Sequence, residues 1–436
     1  MRLAERCGLT RLISKHVRVA HRCGVNAHYK IGSIVAGMLA GADSIDDLDV
    51  IRHGGMGKLF AGIRAPSTLG SFLRSLSWGH VRQIEGVGRV MLARLAGHTP
   101  LLPGADVVAF LDLDSTQKRI YGPTKQGAGF GHTKIQGKSV LVRGLNVLAA
   151  AVSTPLAAPV IAAARLRGGT ANSSRGAASF VAEAINTARE AGCVGVLVVR
   201  GDSAYYAGKV VAACRRAGAR FSFTVTMNPK LRATIATIGE RAWRPIRYPN
   251  AIYDEASGRW ISDAEVAETS YTALAGTRHA VTARLIVRRV KDLNAATDQG
   301  ELFTAWRYHA VFTDSPHELL SAEAEHRGHA IVEQVFADLY DGPLAHLPSG
   351  SFAANAAWLA CAAIAHNLLR AAGTMASAFH ARARGATLRR HLIDVPAEVA
   401  RHGRGHITLH MPERWPWQDA FDTLFRAAHA PPPRAA

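Results

Sequence analysis

Two apolar runs of strand length in this chain each end on an aspartate. VVAFLDLD (107–114) ends on Asp114, and VGVLVVRGD (194–202) ends on Asp202. A third acid, Glu333, sits inside a stretch of helical character, AEAEHRGHAIVEQVFADL (322–339). A carboxylate at a strand end is poorly placed for a core and well placed for a cleft. Three carboxylates from two strands and one helix can hold divalent cations between them. Magnesium takes hard oxygen ligands, usually few from protein and the rest from water and substrate phosphate. The pattern is that of a metal-dependent phosphoryl-transfer site.

The order of elements around these acids restricts the fold. Strands are expected near 107–114, 139–149 and 157–166. A helix over 173–192 follows, capped by Ser173 or Ser174, then a strand at 194–200, a helix at 203–218 and a strand at 220–227. Three strands followed by alternating helix and strand is the order of a ribonuclease-H-like core. In that core the first acid ends the first strand, the second follows the fourth strand, and the last lies on a later helix. Asp114 and Asp202 are 88 residues apart (202 − 114), which suits the intervening elements. Asp202 and Glu333 are 131 apart (333 − 202), more than one helix and one strand need, so a segment is inserted. Residues 240–315 are strand-rich and supply it.

The expected organisation is α/β. A mostly helical domain is expected at 1–104. A ribonuclease-H-like catalytic core comprises 105–229 and 319–375. A β-rich insertion fills 230–318, and 376–436 is a basic segment with a hairpin at GHITLHMPERWPW and a frayed tail. An Ala-rich buried helix is expected near 352–373.

Charge narrows the partner. Lys and Arg total 52 against 33 Asp and Glu, a net of +19, which points to a polyanion, most often nucleic acid. Between Ser115 and Ala182 there is no acid and there are nine basic residues: Lys118, Arg119, Lys125, Lys134, Lys138, Arg143, Arg165, Arg167 and Arg175. The bland counterpart is an Arg-rich proteome, but clustering beside the first acid favours a phosphate backbone. The cysteines, Cys7, Cys23, Cys193, Cys214 and Cys361, form no CxxC pair, so zinc and a disulfide framework are not expected. They read as buried thiols in a reducing cytosol. The opening MRLAERCGLTRL is charged at once and has no secretory core. The low-polarity run 145–164 is broken by Pro155 and Pro159 and reads as two strands, not as a membrane helix.

LDLDST (111–116), RGDSAYY (200–206) and HAIVEQVFADL (329–339) resemble the motifs of DDE transposases of bacterial insertion sequences. The branch it resembles most carries a β-strand domain between the second Asp and the Glu. DSTQKRIYGPTKQGA (114–128) and DGPLAHLPSGSFAANAAWL (341–359) are similar to that branch too. The resemblance implies a catalytic, metal-holding triad of Asp114, Asp202 and Glu333, with two magnesium or manganese ions, and double-stranded DNA as substrate. It also implies a homodimer in the synaptic complex and a cytoplasmic bacterial setting. Many such enzymes show Tyr-x2-Arg-x3-Glu-x6-Lys around the Glu, where the Arg and Lys contact DNA phosphates. Here the corresponding residues are His326, His329, Glu333 and Tyr340. Cleavage is therefore expected to be weaker than in relatives, and His329→Arg with Tyr340→Lys to strengthen it.

Each site residue has a plainer reading beside the catalytic one. Asp112 and Asp114 share a strand face, so either could be the ligand; by the resemblance, the Ser115-Thr116 that follows favours Asp114. Asp114 could merely cap a turn and Asp202 the next helix. Glu333 has Glu323, Glu325 and Asp338 as neighbours, and most helix acids are solvated. His326, His329 and Glu333 share a helical face at i, i+3 and i+7, a conceivable transition-metal site. Lys118, Arg119, Lys125, Lys134 and Lys138, with His329 and Tyr340, are taken as DNA contacts. Arg74, His80 and Arg82 of the helical domain at 1–104 either touch the element's ends or belong to a helical scaffold for dimerisation. The function expected is DNA cleavage and joining by in-line displacement at phosphorus. The alternatives are a ribonuclease-H-like nuclease that cuts without joining, and an inactive DNA-binding relic.

Overall fold

The computed structural model describes all residues except 21, 136–137, 247–251, 256–258, 262–263, 292–305 and 431–436. The chain forms two compact units. The first comprises Met1–Asn172, Glu183–Val196 and Ile331–Ala436, and the second Ser173–Ala182 and Leu197–Ala330.

The first unit opens with helices α1 (Arg2–Arg6), α2 (Leu9–His16), α3 (Ala27–Leu39), α4 (Met56–Leu59), α5 (Pro66–Ser75) and α6 (Trp78–His98). Pro66 occupies the start of α5, where its missing N–H costs nothing. Ser77 and His80 close a reciprocal cap on α6. Four antiparallel strands follow: β1 (Val108–Arg119), β2 (Gly129–Ile135), β3 (Lys138–Thr154) and β4 (Ala157–Arg167). The long β3 pairs with β1 from Gly144 to Ser153, with β2 through its first part and with β4 through its second. The run across Pro155 and Pro159 is thus a strand pair, as its prolines predict. Strand β2 was absent from the sequence expectation: GFGHTKI holds two glycines and little apolar residue, so its alternation is faint.

Helix α7 (Ala177–Glu190) begins later than predicted from Ser173 and Ser174. Helix α11 (Val332–Tyr340) and helix α12 (Phe352–Ala376) return to the first unit, followed by α13 (Ala378–Arg382), α14 (Gly385–Leu392) and α15 (Gln418–His429). The Ala-rich α12 is long and apolar enough to cross a membrane, but most of it is buried within the fold. Small residues on all sides let α3, α5, α6 and β4 approach it. Asn367 on α12 bonds both the N–H and the C=O of Ile161, each at 2.8 Å. Ile161 adjoins the β3–β4 register shift, so this amide satisfies backbone groups the ladder leaves out. The C-terminal hairpin is displaced from its expected position: it joins β13 (Glu398–Arg401) to β14 (Ile407–His410), and the tryptophan-bearing stretch after 410 is not strand. The expected frayed tail lies, from residue 431, outside the described residues.

The second unit holds β5 (Val196–Gly201) from Leu197 onward, α8 (Gly208–Arg216), β6 (Arg220–Val225) and α9 (Pro229–Ala236). The predicted helix 203–218 is split: a 3-10 turn spans Ser203–Tyr205 before α8 begins. Strands β5 and β6 are parallel, joined through α8. Strands β7 (Arg244–Ile246), β10 (Ala264–Ala273), β11 (Val281–Lys291) and β12 (Trp306–Thr313) form an antiparallel run that ends against β6. A separate small pair joins β8 (Ile252–Asp254) to β9 (Arg259–Ile261). Phe221, Phe223 and Phe312 form the aromatic centre of the unit. Helix α10 (Leu319–Arg327) packs on β10. The fold class is α/β with a ribonuclease-H-like order of elements, a helical N-terminal part and a β-rich insertion, as the sequence predicts.

Candidate active site

Strand β1 carries Asp112, Asp114, Thr116 and Lys118 on one face, because side chains alternate along a strand. Burial separates the two aspartates. Asp112 is 0% exposed, whereas Asp114 is half-buried and so reachable. One Asp114 oxygen accepts the Ser115 N–H at 2.6 Å. Opposite these residues β3 presents Ala149, Ala150 and Ala151, all buried.

Helix α11 packs against β1, β3 and β4 of the same unit. Its buried stripe is Val332, Val335, Phe336 and Leu339, which leaves Glu333 exposed in the first turn. That position suits a carboxylate, since the helix N-terminus carries partial positive charge. Among the described residues nothing hydrogen-bonds the Glu333 carboxylate. At the other end of α11 the Tyr340 hydroxyl donates to Thr116 Oγ1 at 3.0 Å. Burial pushes the Tyr340 phenol up, the Thr116 bond pulls the other way, and the charge of Asp114 adds to the rise. The strand of Asp114 and the helix of Glu333 are therefore docked on one another.

Asp202 belongs to the second unit. It follows the buried β5, is exposed, and caps the 3-10 turn by accepting the Ala204 N–H at 3.0 Å. The capping role foreseen as the plainer reading is thus present, and it leaves the second carboxylate oxygen for other use. Arg200, two residues earlier, is buried; its guanidinium donates to the carbonyls of Glu325 and Gly328 (3.4 Å to the latter). A Cβ at position 328 would stand 3.1 Å from Arg200 Nη1, so glycine there permits the approach.

The remaining acids are separated from these three by their partners. Glu323 is buried against Arg288 (2.7 Å) and Arg327 (2.9 Å). Glu325 meets His317 at 2.7 Å, and the buried Asp338 meets Arg384 at 2.6 Å. They are structural ion pairs, not the solvated helix acids expected from sequence. The His-His-Glu reading also changes. The predicted single helix 322–339 is interrupted by a 3-10 stretch, Gly328–Ile331. His326 is buried with both ring nitrogens engaged, by Ser222 Oγ at 2.9 Å and Thr224 Oγ1 at 3.0 Å. Burial, with His329 and Arg200 nearby, pulls its pKa down to about 3. His329 is half-buried, its Nδ1 2.6 Å from the His326 carbonyl.

The basic apron is thinner than its composition implies. Arg165 pairs with Glu183 at 2.7 Å, in a cluster with Arg82, Arg89 and Glu85. Arg82 is thus engaged within the fold, and His80 caps α6. Arg167 bonds Asn146, Arg143 donates to the carbonyls of Gly122 and Pro123, and Lys125 donates to the carbonyl of Leu347. Arg119 is exposed and stacks on the exposed Tyr121 at 5.0 Å. Lys134 and Lys138 stand on the β2 and β3 backbones at the end of that pair where the two strands connect. Lys118 lies over the Tyr340 ring, 4.8 Å from its centroid. Arg200 and Glu183 were not singled out from sequence, and Thr116 entered only as part of the Ser115-Thr116 pair after Asp114. Thr116 alone carried a signal, as the residue two beyond Asp114 on the same face.

The donor chemistry suits hard cations: Asp114, Asp202 and Glu333 each offer carboxylate oxygens that are exposed or half-exposed. Among the described residues no group of three or more His, Cys, Asp or Glu side chains is gathered closely enough to hold an ion. None of the five cysteines is in a disulfide; Cys23 is half-buried and the others are buried.

The strand that the sequence predicts to end at Asp114 runs on to Arg119, so Asp114 lies inside β1, while Asp202 follows β5 and Glu333 stands in the first turn of α11. The family model for the transposase DDE domain, group 1, matches residues 1–431, and the chain belongs to that family. The match includes the N-terminal helices and the C-terminal segment as well as the catalytic core. No curated protein matches the chain.

Proposed function

We propose that this transposase cleaves and joins DNA strands at the ends of a bacterial insertion sequence, with Asp114, Asp202 and Glu333 as its catalytic carboxylates. The observation that carries the assignment of these residues is the docking of α11 on β1, which fixes the helix of Glu333 to the strand of Asp114 through Tyr340 and Thr116. Asp202 is assigned with them because it follows β5 and is exposed within its own unit.

Asp114, Asp202 and Glu333 are the residues that would hold divalent ions. Such ions, when bound, lower the pKa of an attacking hydroxyl and offset charge on the leaving oxygen. The chain's own part is to orient and to bind. Thr116 and Tyr340 hold strand and helix in register beneath the substrate. Exposed and half-exposed cations on the Asp114 face hold backbone phosphates, which fixes position without reading sequence. Strand cleavage and strand transfer are both in-line displacements at phosphorus, so one set of carboxylates serves both.

The test uses plasmid DNA carrying the sequences that flank the gene. With magnesium, the wild-type protein should nick and join it. Asp202→Asn should abolish cleavage and leave DNA binding intact or tighter, because a negative charge near phosphate is removed. Wild-type cleavage by this variant would remove Asp202 from the site.

A further inference from the structure

Lys118 differs from the other basic residues of the acid-free stretch. Arg143, Arg165, Arg167 and Lys125 are engaged by carbonyls, an amide or carboxylates of their own unit. The Lys118 ammonium is half-buried, and among the described residues nothing accepts a hydrogen bond from it. It rests instead on the face of the Tyr340 ring. That ring is held in place by its own hydroxyl, which donates to Thr116. A cation over an aromatic face is attracted by the ring, which orients the ammonium but leaves its N–H groups unanswered. Burial pulls the Lys118 pKa down, offset in part by Asp43. An anion at Nζ would relieve that cost.

Position supplies the rest. Asp114, Thr116 and Lys118 stand at i, i+2 and i+4 on one strand face, so Lys118 is about 13 Å along β1 from Asp114. About four phosphates of one DNA strand span that distance.

We propose that Lys118, seated on Tyr340, binds a backbone phosphate within about four nucleotides of the cut strand position, so that the strand supplies the cation and the helix supplies its seat. This rests on the transposase reading above. Lys118 is a binding residue and Tyr340 a positioning residue, and Tyr340→Lys in the wild-type background would crowd two ammonium groups. The gain expected from sequence for the double change His329→Arg with Tyr340→Lys then falls to His329→Arg alone.

The test measures binding of the full-length protein to duplex DNA of the flanking sequence, in EDTA, across a salt series. Lys118→Met should lower the slope of log K against log salt by about 0.9, the loss of one duplex phosphate contact. Tyr340→Phe keeps the ring and should keep the slope. Tyr340→Leu removes the seat and should lower the slope toward the Lys118→Met value. Lys118→Met with Tyr340→Lys moves the charge from strand to helix and should restore the slope. A duplex series with single methylphosphonates locates the contact. Neutralising one phosphate near the cut should weaken wild-type binding and leave Lys118→Met unaffected. An unchanged slope in Lys118→Met, or equal methylphosphonate profiles for the two proteins, overturns the proposal. If Lys118→Met fails to fold, the Tyr340→Phe and Tyr340→Leu pair decides: equal slopes overturn it. Wild-type cleavage by Asp202→Asn would instead sink the underlying reading, so the two failures are distinguishable.

Discussion

The Tyr340 hydroxyl donates to Thr116 Oγ1 at 3.0 Å, from the last turn of α11 to the strand two residues beyond Asp114. This bond lies within one unit and ties the helix that begins beside Glu333 to the strand that bears Asp114. The remainder of the helix is held by its apolar stripe, which resists separation but is less particular about sliding. The hydroxyl pair fixes the register.

The first prediction follows from that pairing. Tyr340→Phe and Thr116→Val should each cost about 1 kcal/mol of unfolding free energy, and the double variant little more than either alone. Urea denaturation of the four proteins gives the coupling. Strict additivity would show that the two hydroxyls do not share a bond in solution.

Arg200 provides the second. Its guanidinium spans the carbonyls of Glu325 and Gly328, and both lie just ahead of Glu333 in the chain. Lysine offers a point charge in place of a fork and cannot make both bonds with the same geometry. Arg200→Lys should lose about 1–3 kcal/mol of stability, the cost of leaving a buried group unsatisfied. Gly328→Ala should be destabilising too, since the added methyl meets Arg200. Hydrogen exchange of the amides from 325 to 331 should speed up in both variants; unchanged exchange would refute the anchoring role.

His326 gives the third. Its folded pKa lies near 3, below the unfolded value near 6.5. Above pH 6.5 it is neutral in both states and contributes no pH dependence. As pH falls below 6.5 the unfolded chain takes up a proton that the folded protein refuses. Stability should therefore drop by up to about 1.4 kcal/mol per pH unit from this group, down toward its folded pKa. His326→Gln should flatten the stability profile between pH 6 and 4 by about that slope. A variant as steep as wild type would show that His326 is not held neutral.

Much of this protein was legible in its sequence because the signals are local. Runs such as VVAFLDLD and VGVLVVRGD declare strands by their apolar continuity; Asp202 does follow its strand and is exposed, whereas β1 continues past Asp114 to Arg119 and leaves Asp114 half-buried within it. Pro155 and Pro159 forbid a continuous helix through an otherwise apolar run. The excess length between Asp202 and Glu333 requires an insertion wherever it folds. What depended on tertiary structure is the identity of partners far apart in the chain. Nothing local distinguishes Asp112 from Asp114; their burial does, once β3 and α11 lie against β1. Arg165 looks like a DNA contact until Glu183, eighteen residues later, neutralises it across a helix and a strand. Glu323 and Asp338 look solvated until Arg288 and Arg384 reach them. The pairing of Lys118 with Tyr340 spans more than two hundred residues, and only the packing of α11 on β1 brings that charge to that ring. Charge and pattern are properties of the chain, whereas the state of a charge, paired or available, is a property of the fold, because Coulomb and hydrogen-bond energies depend on distances that sequence spacing does not set.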